Sequence, residues 1–335
     1  MGLILMKILF WIQSLFVFVV LNTFSSTISA EYGPNHQALA ASQLCLTRPD
    51  NLDVDWHLHD YFGNIMIINI QGHTERLQFA ANNLQAVGAK TVEILYAING
   101  RTSVDPSLWK KMDWNWVGYN LNTEDGRKKF DHQRQGEIGC YLSHYLAIKT
   151  VKERYDNALK ELQEAKDKKN VVLQKKAYQD VVKNRNVLIL EDDNGFGIVG
   201  PNGKSVTLAS VGTIFRQAMM ELPQEWDMLY LVTYSRPPYS NQKFSPHLAK
   251  VGGGFTTSAY AVNHTMYDTL IAELGKVFDP KVEHIFPVDD TYAKLHKDYN
   301  CYAIVPSIAY QNEGVSFITS QYGNFRQMQP LHNYR

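Results

Sequence analysis

Four consecutive aliphatic residues, Val187-Leu188-Ile189-Leu190, stop at three consecutive carboxylates, Glu191-Asp192-Asp193, and Gly195 and Gly197 open a loop just beyond. The run is too short for a helix of its own and lacks polar alternation, which is the pattern of a strand covered on both faces. Such a strand requires helices above and below its sheet, so the predicted fold class is α/β. Adjacent carboxylates repel one another unless a cation lies among them, and ligands bind such sheets at the carboxyl ends of the strands. The acidic triplet therefore points to a metal site, with a solvated acidic turn as the other reading.

The chain has 335 residues, 45% of them hydrophobic, enough for one large or two modest domains. Its formal net charge is zero, which removes any global attraction to nucleic acid, and no nucleic-acid partner is expected. Residues 4–24 are apolar except at Lys7, Gln13, Ser14, Asn22 and Thr23, and small residues follow to Ala30. That is the layout of a signal peptide over 1–30; at about 20 residues the run is also long enough to anchor the chain in a bilayer. The expected location is the secretory pathway or outside the cell, with membrane association through this segment as the alternative. Cys45, Cys140 and Cys301 show neither a disulfide framework nor zinc spacing.

Residues 31–60 read as a polar lead-in; its His57-x-His59 has no matching downstream His/Asp set for a metal. A strand over 64–70, then Leu77, Leu84 and Val87 at helical spacing, then a strand over 92–97 make a β-α-β unit, implying a right-handed parallel crossover. A nucleotide fits over the carboxyl end of its first strand. Residues 107–135, with Trp109, Trp114 and Trp116, read as a loop-rich excursion whose aromatics either stack on a sugar or base or cover the core. Between 152 and 169 the spacing predicts a long charged helix, or a hairpin breaking near Asn170. Ten Lys/Arg against six Asp/Glu over 152–185 fit a solvated face or a docking arm.

Further on, a helix is expected over 211–222, strands over 226–232 and 257–262, and a helix over 265–274. Asn263-His264-Thr265 is a glycosylation sequon that also suits a helix N-cap. A second acidic pair, Asp289-Asp290, precedes an expected helix over 291–297, and a last strand covers 301–305. Residues 306–335 are polar and aromatic, which suits a tail folding over a site.

Several of these stretches together resemble glycosyltransferase family 25, which holds the lipooligosaccharide sugar transferases and the procollagen galactosyltransferases. In family order they are Ile67-Ile68-Asn69-Ile70 with Glu75-Arg76; Ala97-Ile98-Asn99-Gly100; Gly136-Glu137-Ile138-Gly139-Cys140 with Ser143-His144; Leu188 to Asp193; Trp226-Asp227-Met228-Leu229-Tyr230-Leu231; and Pro287-Val288-Asp289-Asp290. The likeness covers roughly residues 63–311. The segment 136–144 and the Glu-Asp-Asp strand end are its specific parts.

The resemblance implies a GT-A-like nucleotide-sugar-binding fold with a mostly parallel central sheet, occupying 61–312, and a C-terminal tail over 313–335. It implies transfer of a hexose, galactose foremost, from a UDP-sugar to a hydroxyl of a glycan or protein acceptor. Mn²⁺ or Mg²⁺ would sit at Glu191 and Asp193, while Asp192 faces the donor sugar or stabilises the turn. Donor-binding positions carried over are Asn69, Arg76, Gly136, Glu137, Ser143 and His144, the last four expected at a helix start whose amides favour an anion. Arg76 reads equally as a surface residue, and His144 as a satisfied core histidine. Inversion, taken from the family, needs a base, and Asp289 is preferred to Asp290, with helix capping as the other role. The helical stretch 150–186 is longer than the usual family link and reads as an insertion. The alternative is a catalytically silent member that binds carbohydrate or protein through it.

Overall fold

The computed structural model describes residues 41–45, 58–115, 117–200, 205–235 and 240–323. The expected signal or anchor segment, most of the lead-in and Trp116 lie outside the described residues. No described helix is long and apolar enough to cross a membrane.

Among the described residues the centre is a nine-stranded sheet. Strand β1 (Ala41–Cys45) forms one edge beside β3 (Thr91–Tyr96), followed by β2 (Asn64–Asn69) and β4 (Asn186–Glu191). Ala259–Asn263, Met228–Tyr230, Cys301–Ile304, Leu248–Lys250 and Gln242–Lys243 then complete it in that order. A short strand β5 (Asn194–Phe196) leaves the main sheet just after the acidic triplet and pairs with Ala309–Gln311.

Val187 to Leu190 are wholly buried because both faces of β4 are covered. Val187 and Ile189 face one core with Met66, Ile68, Tyr141 and Leu142; Leu188 and Leu190 face the other with Ile65, Ile67, Leu84 and Phe215. Helix α1 (Thr74–Ala86) and Val211–Glu221 supply the second layer, while the long helix and His264–Gly275 supply the first. The expected α/β class therefore holds, with one correction. The sheet is mixed rather than mostly parallel: three of its eight junctions are parallel and five antiparallel. Parallel pairing needs a crossover of a dozen or more residues, usually through a helix. The β2-α1-β3 unit has one, whereas the described residues between 231 and 258 contain none, and Ala259–Asn263 enters antiparallel to both neighbours.

A second correction concerns the region before the Ser-His pair. Beyond the short helix α2 (Pro106–Trp109), residues expected as loop up to 135 belong from Glu124 onward to α3 (Glu124–Asp167), a helix of 44 residues. Thr123 caps it by accepting from the Gly126 amide at 3.0 Å, and Glu124 and Asp125 complement its positive end. Trp109 is core, beneath the Arg134 guanidinium at 5.1 Å, and Trp114 leans on Phe286 rather than on the pocket. At its far end α3 breaks at Lys168–Asn170, where Lys169 takes φ 51° and Asn170 caps α4 (Val171–Asn184) through the Leu173 amide. That is the expected hairpin.

The sequon is structural. Asn263, 3% exposed, accepts from the His264 amide and donates to the Trp226 carbonyl at 2.8 Å.

Candidate functional site

The acidic triplet forms the floor of a cavity of about 660 Å³ at the carboxyl ends of β2, β3 and β4. α1 supplies its cationic wall, the middle of α3 a second wall, and residues 311–318 the cover. Strand β4 must end here, since a buried carboxylate needs partners, and each of the three finds different ones.

Asp192, 5% exposed, is braced from both sides: Asn69 Nδ2 donates to one oxygen at 2.7 Å, and Arg76 Nη2 lies 2.5 Å from the other. The same Arg76 nitrogen lies 2.8 Å from Asp193 Oδ2, which also accepts from Gln311 Nε2 at 3.2 Å. Asp193 Oδ1 is buried with no hydrogen-bond partner among the described residues. Glu191 accepts from Thr257 Oγ1 at 2.7 Å and faces His144 Nε2 at 3.4 Å. That last contact is electrostatic with poor hydrogen-bond geometry, and Nε2 has no hydrogen-bond partner among the described residues.

One guanidinium among three carboxylates leaves an excess of negative charge, and the proton affinities record it. Burial pushes Asp193 up to about 7, against the Arg76 charge and with Glu191 and Asp192 adding to the rise. Burial raises Asp192 as well, opposed by Arg76 and Asn69. Burial acts the same way on Glu191, but His144, Thr257 and Arg76 together hold it below the usual carboxyl range, so Glu191 stays ionised.

Of the residues named from sequence, Arg76, Gly136, Ser143, His144, Glu191, Asp192 and Asp193 line this one cavity, and Asn69 stands directly behind Asp192. Glu137 is buried in α3, accepts from Gln133 Nε2 at 2.8 Å and does not line the cavity. The expected helix start at 136–144 is corrected. These residues lie in the middle of α3, whose N-cap is Thr123, so no free helical amides face the pocket there. The glycines are present for close approach. A Cβ at Gly139 would stand 2.6 Å from the Ile98 carbonyl oxygen, and one at Gly136 would stand 2.6 Å from Ile318 Cα. Ser143 is spent on the same junction, accepting from the Ile98 amide at 2.8 Å and donating to the Gly139 carbonyl at 2.6 Å.

Asp289 and Asp290 do not line the cavity. They lie within the first turn of Val288–Leu295, a helix that begins earlier than expected, and Asp289 Oδ1 accepts from the Asp290 amide at 3.0 Å. Asp289 is nonetheless near enough for its charge, after burial and Glu191, to push the Cys140 thiol up.

The cover falls within the stretch expected to fold over a site, 306–335, but its fastenings were not read from sequence. Arg101 Nη2 donates to the Phe317 and Ile318 carbonyls. The Phe317 ring lies 4.7 Å from the Arg76 guanidinium carbon and packs edge-on against His73. Glu313 also lies in the cover. Arg101 follows directly on the Asn99-Gly100 turn, which was the only available signal; the partners of Phe317 are distant in sequence and left none.

Fold and cavity together define a mixed α/β protein with an acidic, arginine-braced pocket at the carboxyl edge of parallel strands. No family model and no curated protein matches the chain.

Proposed function

We propose that this protein is a metal-dependent glycosyltransferase that moves a hexose, galactose foremost, from a UDP-sugar to a hydroxyl of a glycan or protein acceptor. The reading joins the resemblance to glycosyltransferase family 25 with the chemistry of the pocket. The observation that carries it is Asp193 Oδ1, a buried carboxylate oxygen without a hydrogen bond among the described residues, beside an ionised Glu191 in a cavity of about 660 Å³. That volume lies within the roughly 300–1,000 Å³ of small-molecule sites. An oxygen so placed suits a hard divalent cation, and a diphosphate cannot approach three carboxylates without one.

Mn²⁺ or Mg²⁺ would be held by Glu191 and Asp193, and when bound it supplies Lewis-acid stabilisation of the departing nucleotide. The chain's own residues do the rest. Asn69 and Arg76 fix Asp192 and with it the turn after β4. Arg76 offers positive charge to phosphate, and residues 311–318 exclude water from the donor. Asp289 is the proposed base for the acceptor hydroxyl. Residues 1–30 would carry the chain into the secretory pathway or hold it at a membrane.

Incubating the full chain with a panel of UDP-sugars and Mn²⁺ should release UDP in a metal-dependent manner. Neither turnover nor nucleotide binding with any donor would sink the proposal. A second reading, a catalytically silent binding module, draws on the α4 face, where Val171, Tyr178 and Val182 are exposed at helical spacing. Asp193→Ala separates the two, abolishing turnover in the first and leaving partner binding intact in the second.

A further inference from the structure

We propose that Cys140, His144 and Glu191 form a site for a borderline transition-metal ion of the zinc class, with its remaining coordination position open to the pocket. This site does not rest on the sugar-transfer reading, although it uses Glu191, which that reading gives to a hard cation, and His144, which the resemblance places by the donor.

Cys140 and His144 are four residues apart on α3, which sets both side chains on one face of the helix, and β4 brings Glu191 opposite them. One ligand atom from each lies within 4.8 Å of the other two. Bonds of about 2.0–2.3 Å in a tetrahedral zinc site put ligand atoms about 3.3–3.8 Å apart. The His144 Nε2 to Glu191 Oε1 distance of 3.4 Å already meets that requirement. No separation need close by more than about 1 Å, within reach of a side-chain rotation, to give the same tetrahedral spacing.

The histidine gives the independent sign of a ligand. His144 is fully buried, yet its Nε2, aimed at Glu191, has no hydrogen-bond partner among the described residues. Its other nitrogen, Nδ1, pairs with the Tyr260 hydroxyl at 2.8 Å, which in turn lies 3.3 Å from the Tyr292 hydroxyl. A Tyr260 oxygen that accepts from Nδ1–H leaves the Nε2 lone pair free. This is the outer-shell hydrogen bond that orients metal-binding histidines. Glu191 is oriented in the same way by Thr257.

Charge favours the ion as well. A thiolate, a neutral imidazole and a carboxylate cancel the two positive charges of Zn²⁺, so the buried assembly is neutral, and the thiol proton leaves to solvent on binding. Sulfur and nitrogen ligands also select against Mn²⁺ and Mg²⁺. Three protein ligands with an open position facing a cavity are the arrangement of a reactive or ligand-exchanging site rather than a closed structural one.

The test is titration of the metal-free full chain with Co²⁺. One equivalent should bind with an intense near-ultraviolet thiolate-to-cobalt band, Zn²⁺ should displace it, and excess Mn²⁺ should not. Cys140→Ser should abolish the band, and His144→Gln should weaken Zn²⁺ binding at least about tenfold. Asp193→Ala, which removes the proposed hard-cation ligand, should retain the band. Circular dichroism checks that each variant folds, and His144→Gln stands as the decisive variant should Cys140→Ser fail. Absence of stoichiometric binding, or a band unchanged in Cys140→Ser and His144→Gln, overturns the proposal. Loss of UDP-sugar turnover with the cobalt band intact would count against the transferase reading alone.

Discussion

Arg76 Nη2 lies 2.8 Å from Asp193 Oδ2, and the same nitrogen holds Asp192, so a single guanidinium compensates two of the three carboxylates at the end of β4. Replacing it strands both. Removing one partner from a fully buried pair costs about 3–5 kcal/mol; here the guanidinium is a quarter exposed, so Arg76→Met is expected to cost about 2 kcal/mol. Arg76→Lys, which keeps the charge but not the fork, should fall between the two. Denaturant unfolding measures this, and an Arg76→Met midpoint equal to wild type would show that the pair contributes nothing.

The raised proton affinity of Asp193 gives the metal-free protein an unusual pH dependence. A carboxyl whose folded value exceeds its unfolded one binds its proton more tightly when folded. Its contribution is fully present below the unfolded value of about 4 and is lost as pH rises through about 7. Without divalent cations, the melting temperature should therefore fall between about pH 5 and pH 7.5, and Asp193→Asn should flatten that slope. A wild-type melting temperature that climbs across this interval, in parallel with the variant, would contradict the assignment.

Much of the site was legible because its pieces are local in sequence. The covered strand before Glu191, the β-α-β unit carrying Asn69 and Arg76, and the break at Asn170 each depend on neighbours within a few residues. What was not legible depends on approach between distant segments. Gly136, Glu137, Ser143 and His144 were expected at a helix start, whereas Gly136 and Gly139 are interior to the helix, where glycine is costly. They are interior positions because α3 passes against the backbones at Ile318 and at Ile98–Gly100. The sheet direction was misjudged for the same reason, as nothing local to Ala259–Asn263 states which way its neighbours run. Cys140 was set aside on cysteine spacing, whereas its partners are a histidine one turn along the helix and a carboxylate on another element.

Gly136 supplies a way to perturb the cover without touching the floor. A Cβ there meets the Ile318 backbone, which has no flexible end to yield, so Gly136→Ala should push residues 316–318 outward. Overpacking of this kind costs about 1–3 kcal/mol. The larger effect should be on ligand: UDP binding measured by calorimetry weakens, and proteolysis within the cover accelerates. Unchanged affinity would mean that the cover does not bear on the nucleotide.

Away from the pocket, Arg154 on α3 holds Glu93 on β3 through two parallel bonds, both 2.6 Å. This fork ties the long helix to the sheet at β3. Glu93→Gln should cost about 1–2 kcal/mol, since it removes the ionised acceptor of a charge-assisted pair. Unfolding should show the loss while metal uptake at Cys140 and His144 stays normal, and a simultaneous loss of metal binding would place the fork in the site's support.

Transfer with inversion needs a proton acceptor for the attacking hydroxyl, and the proposed roles commit the floor: Asp192 is tied to Arg76 and Asn69, and Glu191 and Asp193 would hold the cation. The base must come from a neighbouring element. Asp289 bears electrostatically on the pocket wall at Cys140, and Glu313 lies in the cover. A positioned base contributes about a hundred- to ten-thousandfold, so Asp289→Asn should lower kcat by that range while leaving UDP affinity unchanged. Asp290→Asn and Glu313→Gln should each stay within about tenfold of wild type, because neither removes the group that takes the proton. If kcat instead collapses in Glu313→Gln and survives in Asp289→Asn, the base belongs to the covering segment, and closure of that segment over the donor would bring it to the acceptor.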